Sequence, residues 1–493
     1  MRKIVYIPLD ERPCNYDFPY LLTEGSEAIS LVRPSIDVMG KKKQPADCRG
    51  ICEFLVRECR DADYLILALD TLLYGGIIPS RLHSFGRDEL FERLDVLKEI
   101  KRANPDIRIS AFSLVMRCPC YSDDAEEPDY YALCGKEIFL YGQNEHRFKL
   151  GEISAQEYEK RKRELSACFE YIGDYERRRA VNISLLCDSL NTVGTYIDEF
   201  TILQDDSNAR GYTAMDRERV LRIVEERGIK LDTYPGADEA GLTLLARAAA
   251  YLENRRPTVC PVFPRAGAEG VVPIYEDREI YRTVSAQIES AGCAECSSPE
   301  DADILLFFNL NDTRTYDVYL SPTKQNDEGY IPELAARIAD TIKSGAGVAV
   351  ADVAYCNAGD LTFLLELAKK TELTDLWGYA GWNTSSNTIG TVMCQAVLRY
   401  LYGNTAAHRR FSALRIMDDV VYSADVRPEL VKRAKAGGIT HFPMTGEYTD
   451  AIVRYINDRT GALFGQLAER YEATECSLPW NRLFEIRLTV KER

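Results

Sequence analysis

Short, nearly continuous apolar runs recur along the chain, each closing on acids, amides or arginines and most followed by a helix-like stretch. The first spans Ile4 to Leu9 and closes on Asp10, Glu11 and Arg12; the second spans Tyr64 to Leu69 and closes on Asp70. A third, Ile107 to Met116, ends at Arg117, and a fourth, Phe200 to Leu203, runs into Gln204, Asp205 and Asp206. Lys230 to Ala237 leads to Asp238 and Glu239. Later members begin at Thr258, at Ile304 (before Asn309, Asn311 and Asp312), at Val348 (before Asp352) and at Leu376 (before Trp382 and Asn383). Apolar runs of about six residues alternating with amphipathic helices are the pattern of parallel strands buried on both faces. Helices fit between them at Arg87 to Ala103, Met215 to Arg227, Gly241 to Asn254, Ile331 to Lys343 and Leu361 to Lys370.

Eight or nine such units predict an α/β fold, with a (β/α)8-type barrel over residues 1–403 as the first expectation. An open doubly wound sheet, or two α/β lobes divided near residue 256, stay open as alternatives. A helical insertion, about residues 118–191, follows the third run. Its middle, Ser154 to Ala180, is rich in Glu and Arg at i,i+4 spacing and reads as a solvated helix. From 404 the rhythm weakens, so residues 404–493 are expected to form a smaller α+β appendage closing on a strand that begins near Leu483.

A net charge of −16 argues against nucleic acid as a partner, since the average surface repels a polyanion. The run after Met1 is too short for a signal peptide, and no stretch approaches the roughly 18 apolar residues of a membrane span. A cytoplasmic protein without a membrane partner is expected. The fifteen cysteines are scattered through apolar runs, where thiols act as small core residues, and reduced thiols are expected. Four histidines, with no HxH, HExxH or GxSxG pattern, leave carboxylates as the natural chemical agents; no metal site and no cofactor is indicated.

Polar residues after parallel strands sit where α/β folds place active sites, so Asp10, Asp70, Arg117, Asp205, Asp238, Asn311 and Asp352 are expected on one rim. Asp205 and Asp206 are the catalytic candidates. Adjacent carboxylates raise each other's cost of ionisation, and an acid beside a charged partner suits glycosidic cleavage. The competing reading makes Asp206 a helix cap and Asp205 a buried acceptor. Asp238 and Glu239, flanked by Gly236 and Gly241, are substrate-binding candidates or a helix cap. Asn311, Asp312, Trp382 and Asn383 offer amides, an acid and an aromatic face to sugar hydroxyls, or simply build turns. Asp10, Glu11 and Arg12 contact substrate or form a structural ion-pair network, Asp70 and Arg117 share that ambiguity, and Asp352 is a substrate-binding candidate. Acids converging on one mouth would also suit Mg²⁺ or Ca²⁺.

Pro8 to Asn15, Asp70 to Gly76, Gln204 to Asn208, Pro235 to Glu239 and Gly381 to Thr388 together resemble the bacterial family labelled domain of unknown function 4127, over nearly the whole chain. That resemblance implies no particular activity. The Asp205-Asp206 pair is also similar to the catalytic pair of the O-GlcNAcase-like glycosidases. This second resemblance implies that Asp205 orients a substrate 2-acetamido group and Asp206 is the general acid and base, with Asn311 and Asp312 holding sugar hydroxyls by analogy of role. The resulting expectation is a glycoside hydrolase acting on a small-molecule or oligosaccharide substrate, with a Mg²⁺-dependent hydrolase or lyase, or a non-catalytic sugar-binding protein, as alternatives.

Overall fold

A computed structural model describes residues 1–205, 207–310, 314–317 and 329–493. Its strands are β1 (Arg2–Ile7), β2 (Ile29–Val32), β3 (Tyr64–Ala68), β4 (Arg108–Val115), β5 (Glu199–Gln204), β6 (Asp232–Pro235), β7 (Thr258–Val262), β8 (Ala294–Glu295), β9 (Ile304–Asn309), β10 (Tyr316–Asp317), β11 (Val348–Asp352), β12 (Tyr355–Cys356), β13 (Gly378–Ala380), β14 (Tyr471–Ser477) and β15 (Arg487–Glu492). The first six form one parallel sheet in the order β2-β1-β3-β4-β5-β6. A second parallel sheet has the order β13-β11-β9-β7-β8. In both, the opening strand lies second and its successor lies outside it, so each sheet reverses direction once, beside β1 and beside β7.

The parallel α/β expectation therefore holds. Among the described residues, however, the strands pair as two sheets rather than as one eight-strand ring, and the division falls between β6 and β7, at the break near residue 256. The short edge strand β2 has no counterpart among the expected runs, because four residues with alternate burial carry little periodic signal.

Alternation along the strands builds the core from both faces. Val5, Ile7, Leu65 and Leu67 face one hydrophobic cluster, and Ile4, Tyr6, Tyr64 and Ile66 face another. The second cluster continues into the other sheet through two helices, Ala240–Leu252 and Ser385–Tyr402. The latter is buried without interruption from Ser385 to Leu398, as befits a helix with neighbours on all sides. The two helices approach closely at Gly390, where a Cβ would stand 2.5 Å from Glu239 Cγ and Thr243 Oγ1.

Residues of the expected insertion form the helices Tyr131–Lys149, Ala155–Glu164 and Phe169–Ser189. The single solvated helix expected from Ser154 to Ala180 is broken after Glu164. Ala155–Glu164 has no buried residue and carries an Arg161–Glu157 pair, whereas Phe169–Ser189 buries Ile172 and Tyr175 in a small cluster of its own. The chain after 404 begins with helix Ala406–Arg415, continues into a π-helical stretch, Ile416–Val426, and closes with the antiparallel hairpin β14–β15. Its apolar residues, including Phe411, Val420, Leu478 and Leu488, belong to the same core cluster as the second sheet. No helix among the described residues is long and apolar enough to cross a membrane.

The expectation of reduced thiols needs one correction. Cys134 and Cys168 form a disulfide, because helix Tyr131–Lys149 packs against the short turn Ser166–Cys168; the pairing is invisible at a separation of 34 residues in sequence. Thirteen other cysteines are free. Closing a loop of that length stabilises by about 3–4 kcal/mol on chain-entropy grounds. Replacing both cysteines with serine should lower the urea midpoint and expose residues 118–191 to protease before the two sheets; unchanged digestion would show that the bridge carries no stability.

Candidate functional site

Arg12 is the centre of the first rim. It sits just before Pro13, which opens the short helix Pro13–Tyr16, and it is buried. Its Nε donates to Asp10 Oδ2 at 2.7 Å, and Nη1 and Nη2 donate to the two oxygens of Asp238 at 3.0 and 2.5 Å. Asn15 Nδ2 donates to both acids, at 2.9 Å to Asp10 and 3.2 Å to Asp238. Burial pushes the carboxyls of Asp10 and Asp238 up, and Arg12 only partly offsets it.

A second network stands beside the first. Arg81 donates to Asp205 Oδ2 at 2.8 Å and to Glu127 at 3.2 Å. Arg117 donates to Glu127 at 2.7 Å, to Glu126 at 3.0 Å and to Asp205 at 3.4 Å. Arg482, from the loop joining β14 to β15, donates to the other oxygen of Glu126 at 2.5 Å. Burial would raise the Glu126 carboxyl, but Arg117, Arg482 and Arg81 together hold it well below the usual carboxylate range.

Between these networks lies a cavity of about 280 Å³, lined from both sheets and from the β14–β15 loop. Its far wall is Tyr275 and Glu276. The Glu276 oxygens accept from Ser386 N at 2.8 Å and Thr283 Oγ1 at 3.2 Å, and burial pushes this carboxyl up to about 7. Gln204, Asn357, Asn383 and Asn387 add planar amides to the wall. Asn383 Nδ2 donates to Asp238 at 3.3 Å, and Asn387 accepts from the Asp238 backbone at 3.2 Å. Trp480 donates through Nε1 to Glu11 at 2.7 Å, with the guanidinium carbons of Arg12 and Arg482 4.8 and 4.4 Å from its ring centroid.

Backbone strain also gathers here. Of the seven described non-glycine residues with positive φ, four line the cavity: Tyr275, Asn357, Asn383 and Trp480. Left-handed backbone at such residues costs of order 1–3 kcal/mol and clusters where side-chain direction matters. Gly236 relieves what would otherwise be a clash, since a Cβ there would stand 2.0 Å from Glu239 Oε1.

Asp10, Asp70, Arg117, Asp205 and Asp238 all follow C-terminal ends of the first sheet's strands, whereas Asp352 ends β11 of the second. Of the residues singled out in the sequence, Arg12, Arg117, Asp205, Asp238 and Asn383 line the cavity. Asp10 and Glu11 support it, through Arg12 and Trp480 respectively. Asp70 lies behind the wall, accepting from Ser113 and the Leu114 backbone. Glu239 faces inward and braces its own loop, accepting from Ala237 N, Gln287 and Ser386. Asp352 is wholly buried with Asn309, Tyr379 and the Asp360 backbone as donors. Trp382 packs behind Asn383 and donates to Thr391. Asp206, Asn311 and Asp312 lie outside the described residues. Arg81, Glu126, Glu276, Trp480 and Arg482 escaped the sequence reading. Glu126 follows no apolar run, and the β14–β15 loop has no βα rhythm to mark it. Among the described residues no group of three or more His, Cys, Asp or Glu is arranged to hold a metal ion.

The chain belongs to the family described as "Protein of unknown function (DUF4127)", whose profile matches residues 4–489. No curated protein matches it.

Buried acids give the fold a pH dependence of definite sign. Burial raises Asp70 to about 6, and Glu239, Glu276, Asp352 and Asp419 to about 7. Between about pH 5 and 7.5 the folded chain therefore keeps protons that the unfolded chain has released, and stability falls as pH rises. His83 and His408, lowered by burial to about 4, act in the opposite sense below pH 6.5, two groups against five. The urea midpoint should be lower at pH 8 than at pH 5.5; a higher midpoint at pH 8 would mean these acids are not held protonated.

Proposed function

We propose that the cavity cleaves a glycosidic bond, with Glu276 as general acid and Asp205 as the facing carboxylate. The observation that carries this reading is the contrast between two acids on one cavity. Glu276 is buried among a backbone amide and a hydroxyl and holds a proton near neutral pH, while Asp205 accepts from two guanidiniums. An acid held among neutral donors, sharing a cavity with a carboxylate bound by guanidiniums, is the kind of pair glycoside cleavage uses. Glu276 protonates the departing oxygen as the glycosidic bond breaks, and Asp205 stabilises the positive charge developing on the sugar or orients a 2-acetamido group that attacks it. A water then adds to the anomeric carbon and returns a proton to Glu276. The planar amides and exposed Tyr275 and Tyr121 suit a hydroxylated ring, each hydroxyl needing both a donor and an acceptor. A volume near the lower end of ligand pockets, about 300–1,000 Å³, suits one sugar unit.

One observation favours a binding role without turnover: both oxygens of Glu276 already accept hydrogen bonds from the protein. A panel of aryl glycosides and unactivated oligosaccharides separates the two. With turnover, Glu276→Gln should lower the rate about 10²–10⁴-fold for poor leaving groups, far less for activated aryl groups, and remove the loss of activity above about pH 7. Wild-type-like rates from the folded variant would remove Glu276 from the chemistry. Saturable sugar binding with no turnover by the wild type would establish the binding role.

A further inference from the structure

Behind the cleft is a second, smaller chamber of about 40 Å³. Asp238, Asn357, Asn383 and Phe484 line both spaces, so these residues form the boundary at which the two meet. The chamber's far side is the π-helical stretch Ile416–Val426 and the residue before it, Arg415. Wide π-type turns are rare and are frequent at functional positions.

Arg415 is 1% exposed. Its guanidinium lies over the Phe18 ring, 4.2 Å from centroid to carbon, and Nη2 pairs with Asp418 and Asp419. Its Nε and Nη1 have no hydrogen-bond partner. Buried N–H groups on a charged side chain are rarely left unpaired, because the desolvation cost is then uncompensated. Arg427, in the same wall, donates to the backbone carbonyls of Phe484 at 2.7 Å and Asn357 at 2.5 Å, which are residues of the boundary itself. A second cation thus stands at the entrance.

We infer that this chamber binds a carboxylate group through Arg415, and that the substrate of the neighbouring cleft carries that carboxylate, as an acidic sugar does. The second half rests on the glycosidase reading; the first does not. Size supports the choice, since a water needs about 10–15 Å³ of such space and a carboxylate is only a few heavy atoms. Charge supports it too. Asp238, Asp418, Asp419 and Glu485 line the chamber with Arg415 and Arg427, and burial pushes the Asp238 and Asp418 carboxyls up and Asp419 up to about 7, which lessens the repulsion that an incoming anion meets beside the guanidinium.

The test titrates the full chain calorimetrically with formate, which is small enough for the chamber alone, and with D-glucuronate and D-glucose. Formate should bind saturably. Ser423→Leu, which fills the chamber from its π-helical wall, and Arg415→Lys should each weaken it about tenfold or more, the scale of a lost hydrogen bond to a charged group. Circular dichroism checks that each variant is folded, and Ser423→Leu decides alone where Arg415→Lys is not. Glucuronate should bind at least about tenfold more tightly than glucose, by the same count of bonds. No saturable formate binding, or binding that Ser423→Leu leaves intact, overturns the chamber as a carboxylate site. Formate binding with glucose and glucuronate equally tight overturns the acidic substrate. Formate binding with neither sugar bound sinks the carbohydrate reading while the chamber stands.

Discussion

The ion pair between Arg12 and Asp238 is the contact on which the site's geometry depends. β1 and β6 are four strand intervals apart, roughly 19 Å on a flat sheet at the usual spacing. Twist in the sheet and loops leaning over its rim bring their ends within hydrogen-bonding distance. Burying such a pair is expensive unless every donor and acceptor is satisfied, and here Asp10 and Asn15 complete the set. Asp238 in turn accepts from Asn383, whose backbone lies in the second sheet's territory. A single guanidinium thus references the rim of one sheet to the rim of the other, and the cavity is the space left between them.

That space is finished by residues far along the chain. The loop from Leu478 to Ile486 brings Trp480, Arg482 and Phe484 across to the first sheet, held by Glu11, Glu126 and Arg427. Guanidiniums hydrogen-bond most of the cleft's carboxylates, whereas Glu276 accepts from a backbone amide and a hydroxyl. The asymmetry is chemical rather than architectural. Within one cavity, Glu126 beside three guanidiniums is held low, while burial among neutral donors pushes Glu276 up.

Much of the scaffold was legible because it rests on local pattern. The apolar runs ending at Asp10, Asp70, Arg117, Asp205, Asp238 and Asp352 all coincide with strands, and the helix Ile331–Lys343 falls where its periodicity puts it. The choice between one ring and two sheets was not legible, since strand order is decided by which helix covers which face, and each strand looks the same either way. Asp205, Asp238 and Arg117 were found from their position after strands. Glu276 and Arg482 were missed because they close none of the recurring apolar runs and meet partners distant in sequence, Ser386 and Glu126. Glu239 and Asp352 show the reverse case: placed at strand ends like the others, they turn inward and are consumed by backbone amides, amides of side chains and a tyrosine.

The late position of the β14–β15 loop has a consequence for biosynthesis. Chains leave the ribosome at about 5–20 residues per second and fold from the N-terminal end. Both parallel sheets are complete by Ala380, whereas Trp480 and Arg482 emerge some hundred residues afterwards. A nascent chain therefore has the strands of both sheets while the cleft still lacks the Trp480 side of its lining and Glu126 lacks one of its guanidiniums. During that interval the half-built cavity is open to water, and its lining is completed only when the loop docks onto Glu11 and Glu126.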